Sequence, residues 1–416
     1  MKIAAKILFV GLVVLFLIPA LACAPKAGPS TPPEALKPEV IRVGMIGDMT
    51  GPYASIVGPM HVAFLDACQY VNDQAGGIAG VRVEAVCRDS AGKVDSALAH
   101  YMELKAMKPR PVTLSFYVSG EAEACHDRLV EDKWPAMTVA SLASVYPRGY
   151  TFGLYALYRD EAGAWMDWVM QNYPAKNKVA FLTWDTSYGR DIINDEMRAY
   201  AKKVGINLVA EELFGIRDTD VSTQLTRIMK LNPDWIFTCT AGHGPGVILK
   251  SMAGMGLIGK VKLAGDGVGF AEAVPLIVGD LANGCVVSRS FASLAETDIE
   301  GIKWINYYFN LNRRRPTDAG GAAQCAFMNV LLTKATVEGA LAAAGGDWSK
   351  VDGAAIKAQF EKLQNFTALG LTDITYTPER YHPNKVRIFE IKDKKHVPVS
   401  GWLPCPTDDT TPMRLR

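Results

Sequence analysis

Val40-Ile41-Arg42-Val43-Gly44-Met45-Ile46-Gly47-Asp48-Met49-Thr50-Gly51-Pro52-Tyr53 decides the fold: an apolar run of eight residues opens into a polar loop carrying Gly and Pro, and an amphipathic stretch at 58–72 follows. A buried strand that hands the chain to a loop ahead of a helix is the opening unit of a parallel α/β sheet. Such strands are covered on both faces and read as near-continuous apolar runs. The rhythm then repeats. Strand-like runs at 81–88, 111–116 and 136–140 alternate with helix-like stretches at 94–107 and 121–132. After a pause at 150–157 a second series begins with a helix at 159–173, whose Trp165, Trp168, Val169 and Tyr173 share one face and which Pro174 ends. Strands at 178–184, 207–214, 234–238 and 260–264 then alternate with helices at 190–203, 222–230 and 246–255. The chain closes with a strand at 285–290, helices at 297–311, 320–344 and 353–363, and strands at 372–376 and 386–391. The fold class is α/β, with two doubly wound units.

Working back from Val40, the first residues read as an export signal: Lys2 and Lys6 flank an apolar run at 7–18, and small residues and Cys23 follow. The run is shorter than the roughly 20 apolar residues of a spanning helix, and no later segment approaches that length. Ala20-Leu21-Ala22 suits cleavage for soluble secretion, while Ala22-Cys23 suits the end of a bacterial lipobox with its Leu one place late. Pro25, Pro29, Pro32, Pro33 and Pro38 then make 23–39 an extended tether, which favours lipidation at Cys23 over a plain disordered start with a free thiol. Over the whole chain 44 Lys and Arg balance 43 Asp and Glu, a formal charge of +1 that falls to about −1 once residues 1–22 are removed. That balance lacks the electrostatic footprint of a nucleic-acid binder.

Beyond Cys23 the seven cysteines are widely spread with no CxxC pair, so neither a zinc nor a thioredoxin pattern exists. Cys87 and Cys125 are candidates for a bridge; burial as small hydrophobes is the commoner fate. Gly254-Met255-Gly256-Leu257-Ile258-Gly259 spells GxGxxG but leaves a helix and enters a strand, the reverse of a dinucleotide-binding turn. There is no GxSxG, and the six histidines form no metal-ligand spacing. The sequence supports no enzymatic chemistry, no cofactor and no metal.

What it does supply is polar loops at the carboxyl ends of strands, where open α/β sheets place ligands. They are 48–53, Tyr117-Val118-Ser119-Gly120, Ser141-Leu142-Ala143-Ser144, Asp185-Thr186-Ser187-Tyr188-Gly189 and Gly265-Asp266-Gly267. Thr50-Gly51-Pro52, Ser119-Gly120, Tyr188-Gly189 and Gly267 after Asp266 from these loops, with Asn72-Asp73-Gln74-Ala75-Gly76-Gly77-Ile78-Ala79-Gly80, Asp89, and the run from Asp220-Val221-Ser222 to Pro233-Asp234, occur in family order and spacing. The body from Val40 onward thereby resembles the leucine/isoleucine/valine-binding family of periplasmic substrate-binding proteins, type I, of ABC transporters.

The resemblance implies two Rossmann-like lobes joined by three crossover segments, with a ligand cleft between them that closes on its ligand. One lobe is expected at 40–157 plus 290–371 and the other at 158–289 plus 372–416. Ser119, Gly120 and backbone N–H groups near Ser141 and Ala143 would hold an α-carboxylate, Asp266 an α-ammonium, and Tyr188 would line the cleft, with Tyr53, Tyr117 and Trp184 as pocket walls. Each has a plainer alternative: Ser119 also suits a helix cap, Asp266 between glycines a turn, Tyr53 and Trp184 simple packing. Thr240-Ala241-Gly242-His243 stands where relatives carry a pocket tyrosine, which suggests a wider cleft there, and Val118-Ser119 replaces a doubled Ser. The implied function is an exported solute-binding protein, acting as a monomer with an ABC permease in the inner membrane, for a branched-chain or related amino acid. A ligand-sensing module for a receptor, or a binder of aromatic or aliphatic carboxylates or amides, is the alternative.

Overall fold

The apolar run is strand β1, Val40–Gly47, and its last five residues are buried. The structure, a computed structural model, describes residues 37–139, 141–146, 148–315, 318 and 322–407. The expected signal peptide, Cys23, residues 24–36 of the tether and residues 408–416 lie outside the described residues. Around β1 a five-stranded sheet forms in the order β2-β1-β3-β4-β5, with β2 at Arg82–Asp89, β3 at Leu114–Phe116, β4 at Ala136–Thr138 and β5 at Thr151–Gly153. Every pairing in it is parallel.

The second sheet repeats the pattern. Its strands β6 (Lys178–Trp184), β7 (Asn207–Phe214), β8 (Trp235–Thr238), β9 (Lys262–Asp266) and β10 (Val286–Arg289) lie in the order β7-β6-β8-β9-β10, again all parallel. The sheet then continues antiparallel through β11 (Lys385–Lys392) and β12 (Lys395–Pro398). Each sheet has its first strand between the second and the third, so each has a point where strand order reverses, the place where doubly wound sheets bind ligands.

The helices up to the first crossing are α1 (Ala54–Asp73), α2 (Val94–Ala106), α3 (Ser119–Glu131), α4 (Leu142–Val145) and α5 (Tyr158–Asn172), and α1 starts one turn earlier than its periodicity suggests. Buried Asp48 explains the early start: its carboxylate accepts the N–H of Gly51 at 2.5 Å and of Tyr53 at 2.8 Å, which folds the loop back and lets the helix begin ahead of Pro59. Helices Glu300–Leu311 and Ala323–Ala343 return from the far end of the chain to pack on α1. Three crossing segments meet between the sheets. Ala156 N donates to Ser290 Oγ at 2.9 Å, Thr372 Oγ1 to Ser290 O at 2.8 Å, and Tyr376 Oη to Gly153 O at 2.8 Å.

Two expectations are corrected. Residues 372–376 form no strand; Thr372 and Ile374 make single bridges to Phe291 and Phe366, because this segment crosses between sheets instead of joining either one. The bridge between Cys87 and Cys125 is absent. Cys87 and Cys125 are free thiols, as are Cys68, Cys239, Cys285 and Cys325.

Candidate functional site

At the two reversal points the carboxyl ends of the sheets face each other and enclose a small cavity. Its lining is Tyr53, Ile56 and Met60 from the start of α1, Tyr117, Val118 and Ser119 after β3, and Val139 after β4. From the crossing and the second sheet come Tyr158, Tyr188, Ala241 and Val268. The cavity measures about 20 Å³, room for roughly one water, so a larger occupant requires the two halves to part. Its lining carries no Lys, Arg, Asp or Glu.

The polar groups are nonetheless specific. Ser119 opens helix α3, Ser119–Glu131, and is buried; its hydroxyl makes no well-formed hydrogen bond, although it lies beside the Tyr158 phenol. The first-turn N–H groups of a helix have no intrahelical partner and attract anions. Glu121, in that same turn, accepts Ser90 Oγ at 2.5 Å, and burial pushes its carboxyl up to about 7, so it offers an anion less repulsion than an exposed glutamate would. Tyr158 shares a hydrogen bond of 2.9 Å with Tyr155, and its ring lies 4.4 Å from that of Tyr188, tilted by 56°. Tyr117 Oη accepts from Asn329 Nδ2 at 3.2 Å. Trp184 stands behind the lining, edge-on to Tyr53 at 5.8 Å, with a buried indole N–H that has no acceptor.

Asp266 lies behind Tyr188 and outside the lining. Its Oδ2 accepts the Tyr188 hydroxyl at 2.5 Å, and its Oδ1 accepts Val268 N at 3.1 Å and Gly269 N at 2.8 Å. The carboxylate is thus consumed by its own turn and by Tyr188. Burial pushes it up to about 6, against the pull of these donors.

Ser141, Ala143 and Gly120 also stand apart from the lining. Ser141 Oγ donates to Glu123 at 2.9 Å, the Leu142 N–H is taken by Asp191 Oδ1 at 3.1 Å, and Ala143 is exposed. Glu123 reaches across as well, accepting Ser187 Oγ at 2.9 Å. Gly120 is half-buried opposite Ser187. Of the expected residues the structure therefore brings together Ser119, Tyr53, Tyr117 and Tyr188, with Trp184 and Asp266 directly behind. Tyr158, Ile56, Met60, Val139 and Val268 went unread; Tyr158, Val139 and Val268 sit within a few residues of a strand's end, which is the signal that locates them, while Ile56 and Met60 lie inside α1. The wider cleft suggested by residues 240–243 does not form, because Gly242 meets Ser55 of α1 there.

Two larger hollows, of about 440 and 860 Å³, run along the edge strands β7 and β2. Both are open grooves away from the strands' carboxyl ends. Among the described residues no cluster of His, Cys, Asp or Glu is placed to hold a metal ion, and no helix is long and apolar enough to cross a membrane.

A family model described as periplasmic binding protein matches residues 40–396. Many solved structures share the fold, three of them as follows. A branched chain amino acid ABC transporter protein from Thermus thermophilus with bound valine is 19% identical, with a TM-score of 0.79 over 89% of this chain and 97% of that one. An ABC transporter substrate binding protein from Aeropyrum pernix is 21% identical, with a TM-score of 0.77 over 89% and 97%. A solute binding protein of an ABC transporter from Rhodopseudomonas palustris BisB5, in complex with 3,4-dihydroxy benzoic acid, is 21% identical, with a TM-score of 0.73 over 88% and 98%. No curated protein sequence matches the chain.

Proposed function

The chain belongs to the periplasmic binding protein family, and from that premise we propose that it captures a small carboxylate by closing two lobes on it and delivers it to an ABC permease. The family binds small molecules outside the cytoplasm for such transporters and is not a class of enzymes. The observation that carries the reading is the cavity: both halves build its walls, four tyrosines and apolar side chains line it, and no ionisable acid or base of ordinary strength does. Ser119 and the first turn of α3 supply donors for a carboxylate, and Tyr53, Tyr117, Tyr158 and Tyr188 supply ring faces for an apolar body.

A branched-chain or related amino acid fits this description if its ammonium reaches Asp266 past Tyr188; the Thermus relative carries valine. An aromatic or aliphatic carboxylate or amide is the second reading. It is favoured by the three donors that already occupy Asp266, and the Rhodopseudomonas relative carries a dihydroxybenzoate. A ligand-sensing module would use the same cleft, and uptake of ligand into vesicles holding the genetically neighbouring permease separates it from transport. Lipidation at Cys23 belongs to the same proposal and is read from the mass of the mature protein.

The experiment is a thermal-shift screen of the mature protein against leucine, isoleucine, valine, 4-hydroxybenzoate, short aliphatic acids and their amides. A ligand that binds only the folded state raises the melting temperature by mass action. Stabilisation by the amino acids supports a zwitterion paired with Asp266. Stabilisation only by acids without an amine makes Asp266 a turn residue, and no response to any member of the panel counts against a small-carboxylate ligand.

A further inference from the structure

Beneath Asp266 lies a second acid that the binding scheme does not use. Glu161 sits in the first turn of helix α5, Tyr158–Asn172, and is fully buried. Its Oε2 accepts the N–H of Gly267 at 2.8 Å, while its Oε1 has no hydrogen-bond partner. Gly267 follows Asp266 directly, so the two carboxyl groups are joined through one peptide unit. Asp266 in turn holds the Tyr188 hydroxyl on the cavity wall.

We propose that Glu161 is a positioning residue of the binding site, a carboxylic acid kept neutral so that it fixes the Asp266 turn, and with it Tyr188, without placing a second negative charge beneath the cavity. The proposal rests on the cleft being the ligand site. A buried carboxylate with one bare oxygen is costly, and a neutral acid in the same place costs much less. The groups that face Glu161 agree with a neutral acid. Asp266 from the turn after β9 and Asp160 from its own helix both repel a charge there. Arg289 from β10 is the facing cation, and it is committed to Glu272 at 3.0 Å. The thiols of Cys239 and Cys325 face it from the segment after β8 and from helix Ala323–Ala343. On its far side Asp266 faces the phenols of Tyr188, Tyr155 and Tyr158. Burial first, and the Asp266 charge second, push the Glu161 carboxyl well above the ordinary glutamate range.

The test needs no ligand, so its failure leaves the solute-binding reading of the cleft intact. A group whose pKa is raised on folding contributes stability below its unfolded value, about 4.3, and loses it as pH rises toward the folded value. Thermal midpoints of the native protein and Glu161→Gln are compared from pH 4.5 to 8.5. They are expected to coincide at the acid end, with the Gln variant higher by a few degrees at pH 8. Glu161→Ala, which leaves the Gly267 N–H without an acceptor, stays below the Gln variant throughout. A constant gap, or a Gln variant less stable than native at pH 8, overturns the neutral acid; an Ala variant equal to Gln overturns the positioning contact. Should the Gln variant not fold, the assigned side-chain carboxyl ¹³C shift of Glu161 in the native protein decides. A protonated shift at pH 7 is expected, and an ionised one overturns the proposal.

Discussion

Gly242 has a φ of +56°, and a β-carbon there would overlap the hydroxyl of Ser55 from the start of α1. Both conditions ask for glycine: the left-handed backbone and the close approach of the other lobe. Gly242→Ala is therefore expected to cost about 1 kcal/mol of stability and to hold the lobes apart. Small-angle scattering would show a larger radius of gyration with ligand present, and calorimetry a loss in affinity of about tenfold or more. An unchanged affinity would mean that Ser55 swings aside freely. Residues 240–243 were read from the sequence as a widening of the cleft, on the loss of a side chain. What the sequence could not show is that a residue almost two hundred positions earlier fills the space, since Ser55 is brought there only by the arrangement of two sheets.

Helix α5 shows what periodicity reveals and what it hides. Its apolar face put the helix within one residue of its observed ends. The opening charges, Arg159-Asp160-Glu161, suggest a solvated first turn with acids at the positive end of the helix dipole, yet all three are buried. Arg159 Nη1 donates to Glu196 at 2.8 Å and its Nη2 to Asp191 at 3.3 Å, Asp160 accepts Thr407 N at 2.9 Å, and Glu161 accepts Gly267 N. These partners lie from about thirty to almost two hundred and fifty residues away, so no local pattern predicts the burial. Arg159→Ala leaves Asp191 buried without its cation, and denaturant unfolding is expected to show a loss of about 3 kcal/mol. The ends of the strands that were read fell within a few residues of the observed ones, because apolar runs stop where the backbone leaves the sheet, whereas β5 lay inside the supposed pause at 150–157 and β12 went unread. The crossing at 372–376 was not, since its alternation suits a strand and only the tertiary path denies it neighbours.

For the whole molecule, the buried acids set the response to pH. Burial pushes Glu121 and Asp160 up to about 7 and Asp266 up to about 6. Raised carboxyls contribute stability below the ordinary acid range and lose it as pH climbs to the folded values. His396, driven down to about 4 by burial, has the opposite sense: its contribution is present above about 6.5 and fades as pH falls toward 4. Glu272, held down at about 2 by Arg289 in spite of its burial, loses its contribution only below about pH 4. These raised acids, with Glu161, outweigh the histidines lowered by burial, His61 and His396, so the thermal midpoint is expected to peak near about pH 5 and to be lower at pH 7.5. A midpoint still climbing between pH 6 and pH 8 would contradict this balance. At this scale the repeated β-α order was plain in the sequence, while the closeness of the lobes was not, because it depends on single polar contacts such as Ser187 to Glu123.

The return of helix Ala323–Ala343 to α1 also bears on how the protein is made. The second parallel sheet is contiguous in the chain, from Lys178 to Arg289, and can assemble as soon as it is synthesised. The first must wait, because the apolar flank of α1 gains its cover only after almost the entire chain has emerged, and contacts of such long sequence separation form slowly. A nascent or truncated polypeptide ending before Ala343 would carry an uncovered sticky helix. Chaperone dependence and proteolytic loss should therefore fall on the amino-terminal half of the newborn protein.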